Sequence, residues 1–142
     1  MNITTVYQSH SYEETLAIGE TMAKELTGTE VIALFGGLGM GKTAFTTGLV
    51  KGLGAENCVS SPTFAIVNEY HARFTVYHFD MYRISSWDDL YSVGFFDYLD
   101  NGVIVIEWSE NIENALPENY IRITIEKGDD ENQRIFTVER CG

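Results

Sequence analysis

The chain has 142 residues, of which 44% are hydrophobic, so it is long and apolar enough to form one domain with a packed core. Its 9 basic and 21 acidic side chains give a formal net charge of −12, which argues against a protein that binds nucleic acid through a basic surface. No apolar run reaches the length of a membrane span and no signal-peptide pattern is present, so we expect a cytoplasmic protein with no membrane partner.

The first predicted elements are a short strand and a helix. Residues 4–8 favour an edge strand. Ser11 and Glu14 match a capping box, which predicts a helix that begins after Ser11 and ends near Gly28. The residues expected to face the core from this helix are Leu16, Ala17, Thr21 or Met22, Ala23 and Leu26.

The segment from Gly36 to Thr43 is the most informative part of the chain. It reads GGLGMGKT and matches the spacing G-x-x-x-x-G-K-[ST] of a phosphate-binding loop. The apolar run Val31–Phe35 before it predicts a strand buried on both faces, and residues 43–53 after it have a helical pattern. This order of strand, loop and helix favours a nucleotide phosphate site over an ordinary glycine-rich turn.

Each residue of the loop has an expected role. Glycines let the backbone approach the phosphates, and the N–H groups form a nest for negative charge. Lys42 would reach the β- and γ-phosphates, and the Thr43 hydroxyl would take a position on Mg²⁺. The loop residues expected to surround the phosphates with their backbone are Gly37, Leu38, Gly39, Met40 and Gly41.

The second half of the chain predicts a mixed sheet. Residues 64–70 and 73–79 favour an antiparallel hairpin that turns at His71 and Ala72. The other predicted elements are short helices within residues 87–98 and 111–116, a turn at residues 101–102, a buried strand at residues 103–106 and a closing hairpin of residues 120–126 and 134–139. We therefore expect an α/β fold in which parallel strands carry the nucleotide site and hairpins extend the sheet.

Two acids follow predicted strands and are candidates for catalysis. P-loop enzymes hold Mg²⁺ with the loop hydroxyl and an acid after a hydrophobic strand, which points to Thr43 and Glu107. Asp80 follows the apolar-rich residues 76–79 and would position the attacking water or lie in the outer shell of the metal. The alternatives are a strand-end carboxylate facing solvent for Glu107, and a helix cap or turn residue for Asp80.

Other chemistry-bearing residues give weaker signals. Thr63 could sense the γ-phosphate through Mg²⁺ as a switch residue, or it could belong to a simple turn. His78 is typical of a structural histidine, and Arg83 of a surface arginine rather than one that stabilises charge in a reaction. Cys58 and Cys141 match no metal-binding spacing.

Together these motifs resemble the TsaE family (also called YjeE/YdiB). The matching stretches are SHSYEET at residues 9–15, the loop LFGGLGMGKT, SPTFAIVNEY, YHFDMYR and VGFFDYLDNGVIVIEWSENI. They occur in the order of the family and cover nearly the whole chain. The combination of SPTF, HFDMYR and IEWSE is more specific than the loop, which many families share. Gly37 stands where the loop of this family usually carries an acid.

The resemblance implies both a fold and a function. It implies that residues 1–142 form a single P-loop ATPase domain that binds ATP and Mg²⁺. It also implies that the protein acts with TsaD and TsaB in forming N6-threonylcarbamoyladenosine at position 37 of tRNA. The ATPase would couple hydrolysis to the cycle of the TsaB–TsaD complex and reach tRNA only through it. The residues that the resemblance assigns are Thr43 and Glu107 for Mg²⁺, Lys42 for phosphate, Asp80 and Thr63 for functional roles, and Ser9 and Ser11 for the region near the adenine.

Two other functions could use the same loop. A small-molecule P-loop kinase usually has a lid with several arginines, whereas the five arginines of this chain are spread along it. A non-catalytic nucleotide-sensing adaptor would need no second acid such as Asp80. We therefore expect a partner-activated, Mg²⁺-dependent ATPase of tRNA modification.

Overall fold

The computed structural model describes residues 3–36, 41–55, 67–80, 86, 88, 95–99, 101–107 and 109–141. In chain order its elements are β1 (Ile3–Ser9), α1 (Tyr12–Ala23), β2 (Val31–Phe35), α2 (Lys42–Gly52), β3 (Val67–His71), β4 (Thr75–Asp80), α3 (Phe95–Tyr98), β5 (Val103–Glu107), a 3₁₀ helix (Ser109–Ala115), β6 (Tyr120–Lys127) and β7 (Arg134–Cys141).

The strands form a seven-stranded mixed sheet in the order β1-β7-β6-β2-β5-β4-β3. Strand β2 pairs in parallel with β5 and β6, and β4 pairs in parallel with β5. Strands β1, β3 and β7 pair antiparallel with their neighbours, so the two predicted hairpins extend a parallel centre. The predicted fold class is confirmed, and the carboxyl ends of β2, β4 and β5 lie at one edge of the sheet.

Strands β2 and β5 lie between two apolar layers, one on each face of the sheet. Every residue of both strands is buried. Helices α1 and α2 pack on one face of the sheet, while α3 and the 3₁₀ helix contribute Phe95 and Ile112 to the core on the other. Coverage on both faces explains why these two strands are continuous apolar runs.

Helix α1 begins where the capping box predicts, but it ends at Ala23 rather than near Gly28, and its buried face is rotated from the expected one. The prediction that Ala17 faces the core is wrong, because Ala17 is exposed, and of the alternatives Thr21 and Met22 it is Met22 that is buried. Leu16 is only half-buried, whereas Met22, Ala23 and Leu26 are buried as predicted. The buried residues within the helix are Thr15, Ile18, Gly19, Met22 and Ala23.

Two glycines determine this rotation of α1. A Cβ atom on Gly19 would lie 2.6 Å from the backbone nitrogen of Leu49, and one on Gly48 would lie 2.8 Å from the Cα of Leu16. Helices α1 and α2 therefore approach along a seam of glycine backbone, which turns Gly19 and its neighbours inward. The spacing of apolar residues within α1 alone contains no information about this contact.

The first hairpin forms, but its turn is displaced from the predicted position. The last strand pair joins His71 and Thr75, so the turn spans residues 72–74 rather than His71 and Ala72. Arg73 lies in the turn and does not pair with the opposite strand, because its backbone N–H donates to the backbone oxygen of Leu53 at 2.8 Å. Its guanidinium donates to the oxygen of Ala23 at 2.9 Å. The turn thus supplies hydrogen-bond donors to backbone oxygens at the carboxyl ends of α1 and α2.

The remaining predictions are confirmed where the structure describes them. The closing hairpin is formed by β6 and β7, and the predicted helix at residues 111–116 is a 3₁₀ helix that begins at Ser109. Of the predicted helices within residues 87–98, the described part shows α3. Residues 64–66, Cys58 and Arg83 lie outside the described residues. Within the described chain, no helix has both the length and the apolarity needed to span a membrane.

Candidate functional site

The phosphate loop follows directly from the carboxyl end of β2. Gly36 has φ 150° and Gly41 has φ 94°, values that residues with a Cβ atom rarely adopt. Gly41 is the N-cap of α2 and has no side chain to occupy the first N–H groups of that helix, which carry partial positive charge. The predicted roles of Gly37, Leu38, Gly39 and Met40 fall outside the described residues.

Lys42 is a buried cation at the start of α2. Its Nζ donates a hydrogen bond to the backbone oxygen of Gly36 at 2.8 Å. Only 6% of the residue is exposed. The ammonium therefore lies beside Gly36, at the carboxyl end of β2, where the motif predicts contact with phosphates.

Glu107 ends β5 and is only 4% exposed. Its Oε1 accepts a hydrogen bond from Oγ1 of Thr43 at 3.3 Å, and its Oε2 lies 3.1 Å from Nε2 of His78. Burial raises the pKa of this carboxyl, but the hydrogen bond from His78, the charge of Lys42 and the hydrogen bond from Thr43 outweigh burial and lower it. Glu107 is therefore an ionised carboxylate that can only accept hydrogen bonds.

The pair of Thr43 and Glu107 has the chemistry of a magnesium site. A hydroxyl oxygen and a carboxylate oxygen lie 3.3 Å apart, and both are hard oxygen donors of the kind that Mg²⁺ prefers. They come from the loop and from the end of a buried strand, as in other P-loop enzymes. The residues present therefore fit the metal that the motif implies.

Asp80 ends β4, beside the strand that Glu107 ends. In the parallel ladder of β4 and β5, Asp80 is the register partner of Glu107. The two acids expected at strand ends thus occupy the same edge of the sheet. The side chain of Asp80 and the whole of Thr63 lie outside the described residues, so their roles stay predictions.

Ser9 and Ser11 stabilise the start of α1 next to the phosphate loop. The hydroxyl of Ser9 donates to the backbone oxygen of Ser11 at 2.9 Å and shares a hydrogen bond with Oγ1 of Thr15 at 2.7 Å. The Ser11 hydroxyl accepts from the backbone N–H of Glu14 at 3.1 Å. A Cβ atom on Gly41 would lie 4.0 Å from Cγ2 of Thr15, so this turn borders the loop. The predicted contact of Ser9 and Ser11 with a nucleotide stays a prediction.

His78 is the residue of this site that the sequence reasoning assigned only a structural role. It is fully buried, and its ring contacts the carboxylate predicted to hold the metal. His78 lies two residues before the strand-end acid Asp80 in the sequence. This spacing indicates a contact with Glu107 only when the pairing of β4 with β5 is known, and the sequence motifs do not contain that pairing.

Comparison with known proteins agrees with the motifs. The family model described as "Threonylcarbamoyl adenosine biosynthesis protein TsaE" matches residues 9–136. A relative from Treponema pallidum, named tRNA threonylcarbamoyladenosine biosynthesis protein TsaE, is 38% identical over 128 residues, which cover 89% of this chain and 95% of the relative. The protein of the same name from Bacillus subtilis is 41% identical over 128 residues, which cover 88% of this chain and 80% of that protein.

A solved structure shows the same fold. The crystal structure of Bacillus subtilis YdiB superposes with a TM-score of 0.78 at 33% sequence identity, and the match covers 100% of this chain and 88% of that chain.

Proposed function

This chain belongs to the TsaE family of threonylcarbamoyl adenosine biosynthesis proteins, which supports a role in forming N6-threonylcarbamoyladenosine in tRNA, and we propose that it serves there as a Mg²⁺-dependent ATPase. The observation that carries the proposal is the contact between Thr43 and Glu107. It joins the hydroxyl of the phosphate loop to a buried ionised acid at the end of β5.

The loop residues would bind the triphosphate. The ammonium of Lys42 now donates to a neutral carbonyl of Gly36, and the anionic oxygens of a phosphate are stronger acceptors. ATP would therefore draw Lys42 from Gly36 onto the β- and γ-phosphates. Bound Mg²⁺ would neutralise charge that develops on the phosphate oxygens.

The attacking water would be oriented from the edge of the sheet beside Glu107. Asp80 is the register partner of Glu107, so its backbone is next to the proposed metal ligand. We assign Asp80 to positioning this water or the outer shell of the metal, since a carboxylate within hydrogen-bond reach of the nucleophile can accept its proton.

The partners of the ATPase would be the TsaB and TsaD proteins. We propose that hydrolysis resets the TsaB–TsaD complex between turnovers, and that this chain meets tRNA only through that complex. The net charge of −12 supports this division, because an acidic chain repels a phosphate backbone but can approach a protein partner.

The first experiment measures ATP hydrolysis by the chain alone and with purified TsaB and TsaD. We expect slow release of phosphate by the chain alone and a sharp rise with the pair. Lys42→Ala should lose ATP binding. Asp80→Ala should keep ATP binding but lose turnover by roughly 100-fold or more, as expected for a residue that acts on the nucleophile.

Two outcomes would contradict the proposal in different ways. Normal ATP binding with no response to TsaB and TsaD would contradict partner activation and make a screen of small-molecule phosphate acceptors the next step. Unchanged turnover in Asp80→Ala would remove Asp80 from the mechanism while leaving the rest of the proposal in place.

A further inference from the structure

We propose that His78 is a positioning residue for the metal site: its Nε2–H holds one oxygen of Glu107 so that the other faces Thr43. The inference rests on the proposed function and adds a residue to it.

The two oxygens of Glu107 have separate partners. Nε2 of His78 lies 3.1 Å from Oε2, and Oγ1 of Thr43 lies 3.3 Å from Oε1. Because an ionised carboxylate only accepts hydrogen bonds, Nε2 must carry the hydrogen in this contact. The His78 ring therefore fixes the rotation of the carboxyl group and leaves Oε1 on the side of the loop hydroxyl.

The position of His78 in the sheet makes this role specific. His78 is the register partner of Val105, and this pair lies two residues before the pair of Asp80 and Glu107 in the same ladder. Its neighbours Val76, Val103 and Val105 are fully buried and apolar. An apolar side chain would fill such a site without the cost of removing a polar ring from water. Packing alone therefore does not explain a histidine at this position.

The second ring nitrogen points to the same conclusion. Nδ1 is buried and has no hydrogen-bond partner among the residues that the structure describes. A ring that served mainly to satisfy polar groups in the core would use both nitrogens. Here the described contacts place the whole polar function of the ring on Glu107. Groups that orient a ligating side chain in this way commonly change metal affinity by 10- to 100-fold when they are removed.

A structural role would look similar in the protein without ligands, so the test must separate the two. The measured quantity is the affinity of the full-length chain for a fluorescent non-hydrolysable ATP analogue, titrated in EDTA and at a series of Mg²⁺ concentrations. The gain in affinity on adding Mg²⁺ reports the metal site. The affinity in EDTA reports the binding of phosphates by the loop and Lys42 without the metal.

The variants differ in whether they can donate to Glu107. His78→Leu removes the donor, and His78→Asn keeps an amide that is too short to reach Oε2. His78→Gln carries a donor near the position of Nε2. Val76→Ala is the matched control, since Val76 is a fully buried residue of the same strand with no polar group to offer. Thermal unfolding of each variant checks that it is folded.

We expect His78→Leu and His78→Asn to reduce the Mg²⁺-dependent gain about tenfold with little change in EDTA. His78→Gln should recover most of the gain, and Val76→Ala should keep it even where its melting temperature falls. An unchanged gain in the folded Leu and Asn variants, or an equal loss in Gln and Leu, would overturn the positioning role and leave the proposed function intact. Absence of Mg²⁺-dependent binding in the unaltered chain would overturn both.

Discussion

At the scale of single residues, the site is organised around one buried carboxylate. Desolvation makes a buried carboxylate costly unless it is paired and hydrogen-bonded. In Glu107 the hydroxyl of Thr43 and the ring of His78 contact the two oxygens, and the charge of Lys42 acts on both. These groups favour the ionised form before any ligand binds. The two contacts therefore hold the carboxylate oxygens of Glu107 in place, with Oε1 beside Thr43 at the proposed metal site.

The lowered pKa of Glu107 predicts a dependence of stability on pH. The folded-state pKa lies below the ordinary value of 4.5, so the unfolded chain binds the proton more tightly. The stabilisation is complete above that ordinary value and is lost as the pH falls through the folded-state pKa. Between about pH 6 and about pH 4, the free energy of unfolding of the unaltered chain should therefore fall more than that of Glu107→Gln.

Urea unfolding at both pH values measures this difference. Glu118→Gln, which alters an exposed glutamate, is the control and should follow the unaltered chain. Equal losses of stability in the unaltered chain and in Glu107→Gln would mean that the contacts of the carboxylate do not favour its ionised form.

At the scale of elements, the seam between α1 and α2 positions Lys42 and Thr43. Helix α2 begins at Lys42, so any change in its distance from the sheet or from α1 moves both residues. The close approach requires glycine, because a Cβ atom on Gly48 would lie 2.8 Å from the Cα of Leu16, which is backbone and cannot rotate away.

The substitution Gly48→Ala tests this seam, and it has two opposing effects on the stability of the protein. Alanine is favoured over glycine in a helix interior by about 1 kcal/mol, which would stabilise α2 if space were available. The clash with α1 forces the helices apart, and overpacking of this kind costs about 1–3 kcal/mol. We expect crowding to win, so that urea unfolding shows a net loss of stability and ATP affinity falls with it.

A second glycine provides the comparison for that experiment. Gly54 has φ 102°, but a Cβ atom there would meet nothing within 4 Å. Gly54→Ala should therefore lose stability through backbone strain alone and leave ATP affinity unchanged. A stabilised Gly48→Ala variant would show that the two helices separate without cost.

The elements that the sequence predicts well are those specified by local signals. The unit of β2, loop and α2 is contiguous, and its apolar run, glycines and helical pattern place α2 within one residue of its observed start. The face of α1, the turn at Arg73 and the role of His78 depend on contacts between segments distant in sequence. The contact of Glu107 with Thr43 is predictable although 64 residues separate them, because the loop motif requires an acid after a buried strand.

At the scale of the whole molecule, sheet order and charge have separate consequences. The order of strands brings the ends of β2, β5 and β4 side by side, which gathers the loop, Glu107 and Asp80 at one edge. The net charge of −12 belongs to the surface as a whole. Lys42 and the start of α2 provide local positive charge at the proposed ATP site, while a long polyanion would meet the acidic surface as well.

The net charge therefore predicts that this chain by itself binds tRNA weakly. Non-specific nucleic-acid binding at physiological salt has dissociation constants of about 10⁻⁴ to 10⁻⁶ M, and it depends on contacts from basic side chains to phosphates. This acidic chain alone should bind labelled tRNA more weakly than that range in fluorescence anisotropy. Micromolar binding by the chain alone, weakening as salt is raised, would reveal a basic surface that the net charge conceals. It would place this protein in direct contact with tRNA.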